Sequence, residues 1–444
     1  MMNANIVPAS RLLVLVAVIA IPAAVLAILP GFAGAGYGLI GALALAALFD
    51  ALAAPGVLSG IEVRTPDVVR LWKDRQGDVE LTIRNPSQAQ TPLRIGLPFP
   101  AQIATPDDEL STILPAASEF SRINWICTPR QRGQYLIDRC VIERPSKLGL
   151  WTVRKSVPLK LEIRVYPNLA AERKKSPAFF KRGRLGVHGQ RQLGKGREFE
   201  KLREYAAGDG FDEIDWKATA RRGHPITRVF QVERTQEVYI ILDASRLSAR
   251  PVADDPDATI LERNVTASLL LALAAEKQGD LFGLIAFSDR VHHFVRARNG
   301  KAHYAACRDA LYTLQPRLVA PDFDELFSLL RLRLRRRALL IFLTELDDQV
   351  VAEAFLRNVP LLRQHLMLVG MAKPIGTHAL FGDSPVAGLD DIYRELAGHL
   401  QWNKLRKLGG VLASQGVRFS LLDADTLGPQ LATLYIDLKQ RQLL

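Results

Sequence analysis

Two uncharged apolar runs near the N-terminus constrain this chain more than any other feature. The first extends from Leu12 to Leu29, and the second, Gly36 to Phe49, lies in a stretch without charge from Pro30 to Phe49. A helix crossing a hydrocarbon core of about 30 Å needs roughly 20 apolar residues, so each run approaches a full span, the second nearer the short limit. Pro30, Gly31, Gly34 and Gly36 are expected to break the helix between them. The expected result is a helical hairpin in residues 1–55, with transmembrane helices at about 11–30 and 34–53 and both ends on one side. A cleaved signal peptide would explain only the first run.

Orientation follows from the basic residues beside the spans. Arg11 precedes the first, the connecting turn has none, and Arg64, Arg70, Lys73 and Arg75 follow the second. The positive-inside rule therefore directs the bulk of the chain to the cytoplasm. With 58 Lys and Arg against 46 Asp and Glu, the net charge of +12 calls for an anionic neighbour. The apolar runs favour a bilayer over nucleic acid as that neighbour. Cys127, Cys140 and Cys307 are scattered and odd in number, as expected of reduced thiols in a cytosolic compartment.

At 444 residues the chain exceeds one core and divides by pattern. Residues 56–168 carry short alternating runs that stop at turn residues: Val79 to Ile83 before Asn85-Pro86, Leu93 to Ile95 before Pro98, Gln134 to Ile137 after Gly133, and Leu159 to Val165 before Pro167. This pattern predicts a small antiparallel β-sandwich. Residues 169–196 are basic and aperiodic, a linker. Within it, Gly189 to Lys195 matches the spacing of a phosphate-binding loop, but Gly196 stands where a Ser or Thr should be and no apolar strand leads in, so the match is chance.

Residues 197–236 are dense in both charges. From Arg197 to Arg221 they interleave with Phe199, Leu202, Tyr205, Ile214 and Trp216. Such a stretch suits a solvated helix face or a clasp between domains. Its position beside the first strand of the next domain favours the clasp, with Phe199, Tyr205 and Trp216 packing onto that sheet and Asp209, Asp215 and Arg221 pairing. Residues 237–444 then alternate apolar runs of strand length, Val238–Leu242, Leu281–Phe287, Ala338–Leu343, His365–Val369 and Val417–Leu422, with helical patterns such as Leu261–Lys277 and Phe323–Leu334. Runs buried on both faces and joined by helices predict an α/β fold with a doubly wound parallel sheet.

In such sheets ligands bind beyond the carboxyl ends of the strands. Asp243-Ala244-Ser245 ends the first predicted strand and Thr344-Glu345 ends the third. Carboxylates and hydroxyls there suit Mg2+, a hard cation. The arrangement resembles the metal-ion-dependent adhesion site of von Willebrand factor A domains, whose first strand ends in D-x-S-x-S. Asp243 and Ser245 match, Leu247 replaces the second Ser, Asp322 lies in the loop where that family places a Thr, and Glu345 replaces an Asp. Asp243, Ser245, Asp322 and Glu345 are thus candidate ligands of a degenerate site; with the metal absent, Asp243 and Ser245 would cap loop amides.

Gly208, Asp209, Ile214, Asp215, Trp216, Lys217, Thr219, Arg221 and Glu233 follow one another in an order similar to the signature of the bacterial family called domain of unknown function 58. Asn85-Pro86, Arg130 to Tyr135, Leu148 to Trp151 and Val165-Tyr166-Pro167 add to the resemblance. Gly210-Phe211-Asp212 departs from it, where the family usually shows an acidic residue and then Arg. The resemblance implies a membrane-tethered protein of the bacterial inner membrane with a von Willebrand factor A-like cytoplasmic domain. It further implies an adaptor for a MoxR-type AAA+ ATPase, or for another cytoplasmic or membrane protein, in envelope assembly or stress. A magnesium-dependent hydrolase using Asp243 and Glu345, and nucleic-acid binding through the linker and Arg331 to Arg337, are the alternatives; no nucleic acid is expected.

Overall fold

In a computed structural model, the described residues are 5–28, 31–170, 193–206, 210–211, 214–231, 236–252, 255–379 and 388–440. The chain divides into two units, Met1–Asn168 and Leu169–Leu444. In the first, strand β1 (Asn5–Pro8) leads into α1 (Ser10–Leu15), a π-helical turn (Val16–Ala20) and α2 (Ile21–Ile28). Gly31 takes a left-handed φ of 91°, which lets the chain reverse, and α3 (Ala33–Ala53) returns against α2. Gly34 and Gly36 lie inside α3 instead of breaking it. Among the described residues one helix, counted from Ala33 to Leu58, is long and apolar enough to cross a membrane; Ser10–Leu26 is shorter. On α3, Leu45, Leu48, Phe49 and Leu52 are exposed rather than buried in protein.

The exception on α3 is Asp50, which is 1% exposed. Its carboxylate accepts from the Ser146 hydroxyl at 2.5 Å and from the amides of Leu148 (3.1 Å) and Leu150 (3.2 Å). The Trp151 indole N–H donates to the Ala47 carbonyl at 2.8 Å, and the Ala9 amide to the Leu150 carbonyl at 2.9 Å. Both helical segments are therefore rooted in one loop, residues 146–151. Gly149 in that loop has a left-handed φ of 73°, a conformation that favours glycine.

That loop joins the two longest strands of a pair of sheets. In order these are β2 (Glu62–Arg64), β3 (Val68–Trp72), β4 (Gly77–Arg84), β5 (Thr91–Gly96), β6 (Ile103–Ala104), β7 (Glu109–Leu114), β8 (Phe120–Pro129), β9 (Gly133–Pro145) and β10 (Trp151–Tyr166). One sheet has the order β1-β10-β9-β5-β7 with β3 also on β10, and the other β2-β4-β8-β6. Alternation along β4 sends Val79, Leu81 and Ile83 into a core shared with Ile95, Ile142, Leu161 and Ile163. The pairing is antiparallel except between β3 and β10.

The second unit begins with β11 (Leu193–Glu204), α4 (Trp216–Arg222) and β12 (Ile226–Gln231), in which β11 pairs antiparallel with β12. A six-stranded sheet follows. Its elements are β13 (Glu237–Asp243), the short strands β14 (Pro251–Val252) and β15 (Asp255–Thr259), α5 (Ile260–Lys277), β16 (Leu281–Phe287), β17 (Val291–Arg298), α6 (Lys301–Leu311), α7 (Phe323–Arg333), β18 (Ala338–Leu343), α8 (Gln349–Asn358), β19 (Leu366–Ala372), α9 (Leu389–Ser414), β20 (Val417–Leu422) and α10 (Leu427–Gln440). The order is β17-β16-β13-β18-β19-β20. All neighbours are parallel except β16 and β17, so the sheet is mixed where five parallel strands were expected.

Alternate residues of β13 serve different cores. Val238, Ile240 and Leu242 pack with α5 and α10 on one face, and Tyr239 and Ile241 with α7 and α8 on the other. Continuous apolar strands require this two-sided cover. Cys127, Cys140 and Cys307 are free and buried.

Replacing Asp50 by Ala leaves three donors without their acceptor, a cost of several kcal/mol, about 1–3 per buried donor. Asp50→Ala is expected to lower the unfolding temperature of the full-length protein in detergent and to open residues 146–151 to protease. Unchanged melting and cleavage would contradict this role.

Candidate functional site

The carboxyl ends of β13, β18, β19 and β20 lie at one end of the sheet, and the chain leaves β13 toward β16 on one side while β18 stands on the other. Asp243, the last residue of β13, is 1% exposed. One carboxylate oxygen accepts from the Ser245 amide at 2.8 Å and the other from the Thr344 hydroxyl at 2.6 Å. Asp243 thus ties its own loop to the end of the neighbouring strand. Burial pushes its pKa upward, against the Thr344 and Ser245 hydrogen bonds that favour the charged form.

Glu345, two residues past β18, is 2% exposed and accepts from the Ala372 amide of β19 at 3.3 Å. Its pKa is pushed up to about 8, first by burial and then by Asp347 and Asp243, with the Ala372 amide and Arg250 opposing. Near neutrality it is therefore substantially protonated. Arg250 pairs with one oxygen of Asp347 at 2.5 Å, while the other oxygen is buried without a hydrogen-bond partner. Arg246 pairs with Asp348 at 3.0 Å, and Asp348 also caps α8 by accepting from Val350 and Val351.

Beside these groups is a cavity of about 840 Å3. Glu345 and Asp347 form part of its wall, with Arg250, Lys373, Thr377 and Gln401 from the surrounding elements. The Thr377 hydroxyl is buried and unpartnered. Next to it, His378 is hydrogen-bonded to Glu395 of α9. A polar concavity at the carboxyl end of a largely parallel sheet is suited to hold a ligand or a partner's side chain.

The four candidate metal ligands are not assembled as a cage. Asp243, Ser245 and Glu345 share this end of the sheet, and the buried Ser245 hydroxyl has no partner. Asp322 instead caps α7, accepting from the Glu325 amide at 3.0 Å. Leu247, in the position of the second Ser, is 6% exposed and packs in the core, while Ser248 bonds the Ser245 carbonyl at 2.8 Å. Among the described residues no group of three His, Cys, Asp or Glu could hold a metal ion. Each Asp243 oxygen accepts one hydrogen bond and one Asp322 oxygen caps a helix, so in this arrangement these residues serve the fold.

The signature stretch lies elsewhere in the second unit. Asp215 caps α4, accepting from the Ala218 amide at 2.9 Å, and its own amide donates to the Ile226 carbonyl at 2.8 Å. The Thr219 hydroxyl accepts from the Ile226 amide at 3.0 Å, and Ile214 is buried and bridged to Thr227. These bonds hold a strand-helix-strand unit together. Trp216 is 67% exposed, so it does not pack onto the sheet as the clasp requires; on α4, the capped first turn directs it outward. Lys217 and Arg221 are exposed. Tyr205 stacks on Phe211, centroids 6.2 Å apart, instead of on the sheet. Strand β11 begins at Leu193, inside the expected linker. Gly208, Asp209, Glu233 and the Phe199 side chain lie outside the described residues.

Sequence reasoning also missed a contact in the β16–β17 turn, where the Ser288 hydroxyl lies 2.6 Å from His292 Nε2 and 2.7 Å from an Asp289 oxygen. Burial lowers the His292 pKa, with Arg317 adding to it. Ser288 is 0% exposed, so no substrate reaches its oxygen, and the contact closes the turn. The S-D-x-x-H spacing was the only signal.

Residues 201–371 match the family model described as "Protein of unknown function DUF58", which supports the family expected from the signature. The match runs from β11 to β19. No curated protein matches. Among solved structures, the chain is similar at 13% identity and TM-score 0.27 to proximal thread matrix protein 1 from the mussel byssus, covering 46% of each chain, so it spans about half of that protein. An uncharacterized membrane spanning protein from Vibrio fischeri gives 12% identity and TM-score 0.18 over 47% of this chain and 100% of that one. Similarity this slight carries no argument about fold or function.

The Glu345 shift has a testable sign. Between the ordinary carboxyl value of 4.5 and about 8, the folded protein holds a proton that the unfolded chain has lost, so stability falls as pH rises through that window. The upper bound is about 5 kcal/mol at 1.36 kcal/mol per unit. Glu345→Gln, which cannot ionise, is expected to flatten the decline in unfolding temperature from pH 5 to pH 8. Equal slopes for both proteins would contradict the burial of a protonated Glu345.

Proposed function

We propose that the chain is a membrane-tethered interaction protein whose second unit, a doubly wound domain of the von Willebrand factor A type, binds a cytoplasmic partner through the loops at its strand ends. The partner we infer is a MoxR-type AAA+ ATPase, which members of the resembled family commonly accompany. The setting is cell-envelope assembly or stress at the bacterial inner membrane.

The observation that carries the reading is the cavity of about 840 Å3 at the carboxyl end of the sheet, with Lys373 and the 67% exposed Ile375 available at its rim. An apolar side chain projecting beside charged and unpartnered polar groups suits recognition of a protein surface. A membrane anchor is supported by the one described helix, counted from Ala33 to Leu58, that is long and apolar enough to cross a membrane. The strand order, with helices on both faces, supports the A-type domain. A metal-dependent hydrolase fits less well, because Asp322 is a helix cap and not part of an acidic cluster.

Co-purification of tagged full-length protein from cross-linked membranes in mild detergent tests the proposal. A MoxR-type ATPase is expected in near-stoichiometric amount, with recovery reduced roughly tenfold for Lys373→Glu/Ile375→Asp, since a few rim residues carry most binding energy. No such ATPase with the parent protein, or equal recovery with the variant, would overturn it.

A further inference from the structure

At the amino-terminal end of the same sheet is a second cavity, of about 540 Å3. Its floor is the start of β13, Glu237 and Tyr239, and one wall is Phe294 and Arg296 of the antiparallel edge strand. The other wall comes from the end of α7. Leu334, 2% exposed, caps that helix with its amide on the Leu330 carbonyl at 2.8 Å. Its burial pins the chain there and leaves Arg333 on one side and Arg335 and Arg336 on the other lining the cavity.

The guanidiniums here differ from those at the opposite end of the sheet. Arg246, Arg250 and Arg263 each pair with an aspartate. Among the described residues, Arg296, Arg333, Arg335 and Arg336 pair with none. Arg333 lies over the Phe294 ring, its guanidinium carbon 5.9 Å from the centroid, which positions the group without occupying its N–H donors. Phe294 is in turn stacked on buried Tyr239, centroids 6.3 Å apart, and the Tyr239 hydroxyl accepts from the Ala297 amide at 3.2 Å. The cavity wall is therefore held in place from behind.

A helix C-terminus favours basic side chains, which accounts for Arg333 alone. Arg296 is on a strand, and Arg335 and Arg336 follow the helix. Four like charges facing one concavity, with only Glu237 opposing, repel one another unless an anion enters. We infer that this cavity binds a phosphoryl-bearing anion. Guanidinium forks match phosphate oxygens in pairs, and several forks converging from two walls favour a group carrying two or more negative charges over a single carboxylate. A soluble oligophosphate carries such charge, and an anionic phospholipid headgroup presents the same phosphoryl oxygens with a single charge. The inference is independent of the partner proposed above, which meets the other end of the sheet.

Calorimetric titration of full-length protein in a non-ionic detergent tests it. One arm uses inorganic triphosphate, and another uses short-chain phosphatidylglycerol with phosphatidylcholine as its neutral-headgroup control. Binding is expected to weaken roughly tenfold or more in Arg335→Ala/Arg336→Ala, and less than about twofold in Lys404→Ala/Lys407→Ala, which removes equal charge from exposed positions elsewhere. Saturable triphosphate binding with that variant pattern assigns a soluble source, and tighter binding of phosphatidylglycerol than of either other probe assigns a headgroup. No binding of triphosphate or phosphatidylglycerol, or equal weakening in both double variants, would overturn the inference.

Discussion

A carboxylate placed at the end of the central strand sets the geometry of the second unit. Asp243 is buried, and a group so placed is costly unless its oxygens are met by donors. The Ser245 amide and the Thr344 hydroxyl meet them. The first bond turns the chain out of β13, and the second fixes the end of β18 beside it. Glu345 then follows with its side chain turned to the β19 amide, and the cavity opens between these ends. Two of the residues that resemble metal ligands, Asp243 and Glu345, thus tie neighbouring strand ends together.

Much of this architecture was legible in the sequence, for a physical reason. Strands covered on both faces must be apolar throughout, so the parallel strands announced themselves as unbroken runs such as Ala338–Leu343. What escaped notice depended on distant partners. Strand β17, Val-His-His-Phe-Val-Arg-Ala-Arg, is half-buried at a sheet edge, so its apolar content is diluted. Asn5–Pro8 looks like a leader to a span, yet pairs with Trp151–Arg154. The role of Asp50 depends on partners about a hundred positions away.

The candidate site was legible in part for the same reason. Asp243, Ser245 and Glu345 were found because strand ends are marked by the end of an apolar run. Asp322 also has a structural task that spacing did not show, because an Asp before an apolar helical pattern serves as a cap as readily as a ligand, and here it accepts from the Glu325 amide. Trp216 was misread because a large aromatic ring suggests burial, whereas the Asp215 cap orients α4 so that the ring faces out. Spacing could not reveal either outcome, since each depends on the direction of one side chain.

In the proposed function, the carboxyl end of the sheet is the face that meets a partner. Photo-crosslinking in intact cells tests this most directly, with a benzophenone side chain placed at Ile375, 67% exposed beside the cavity, or at Leu136, 73% exposed on the first unit. The account predicts an adduct to a MoxR-type ATPase from position 375 and none from position 136. An adduct to that ATPase from position 136 alone, or from neither position, would contradict it.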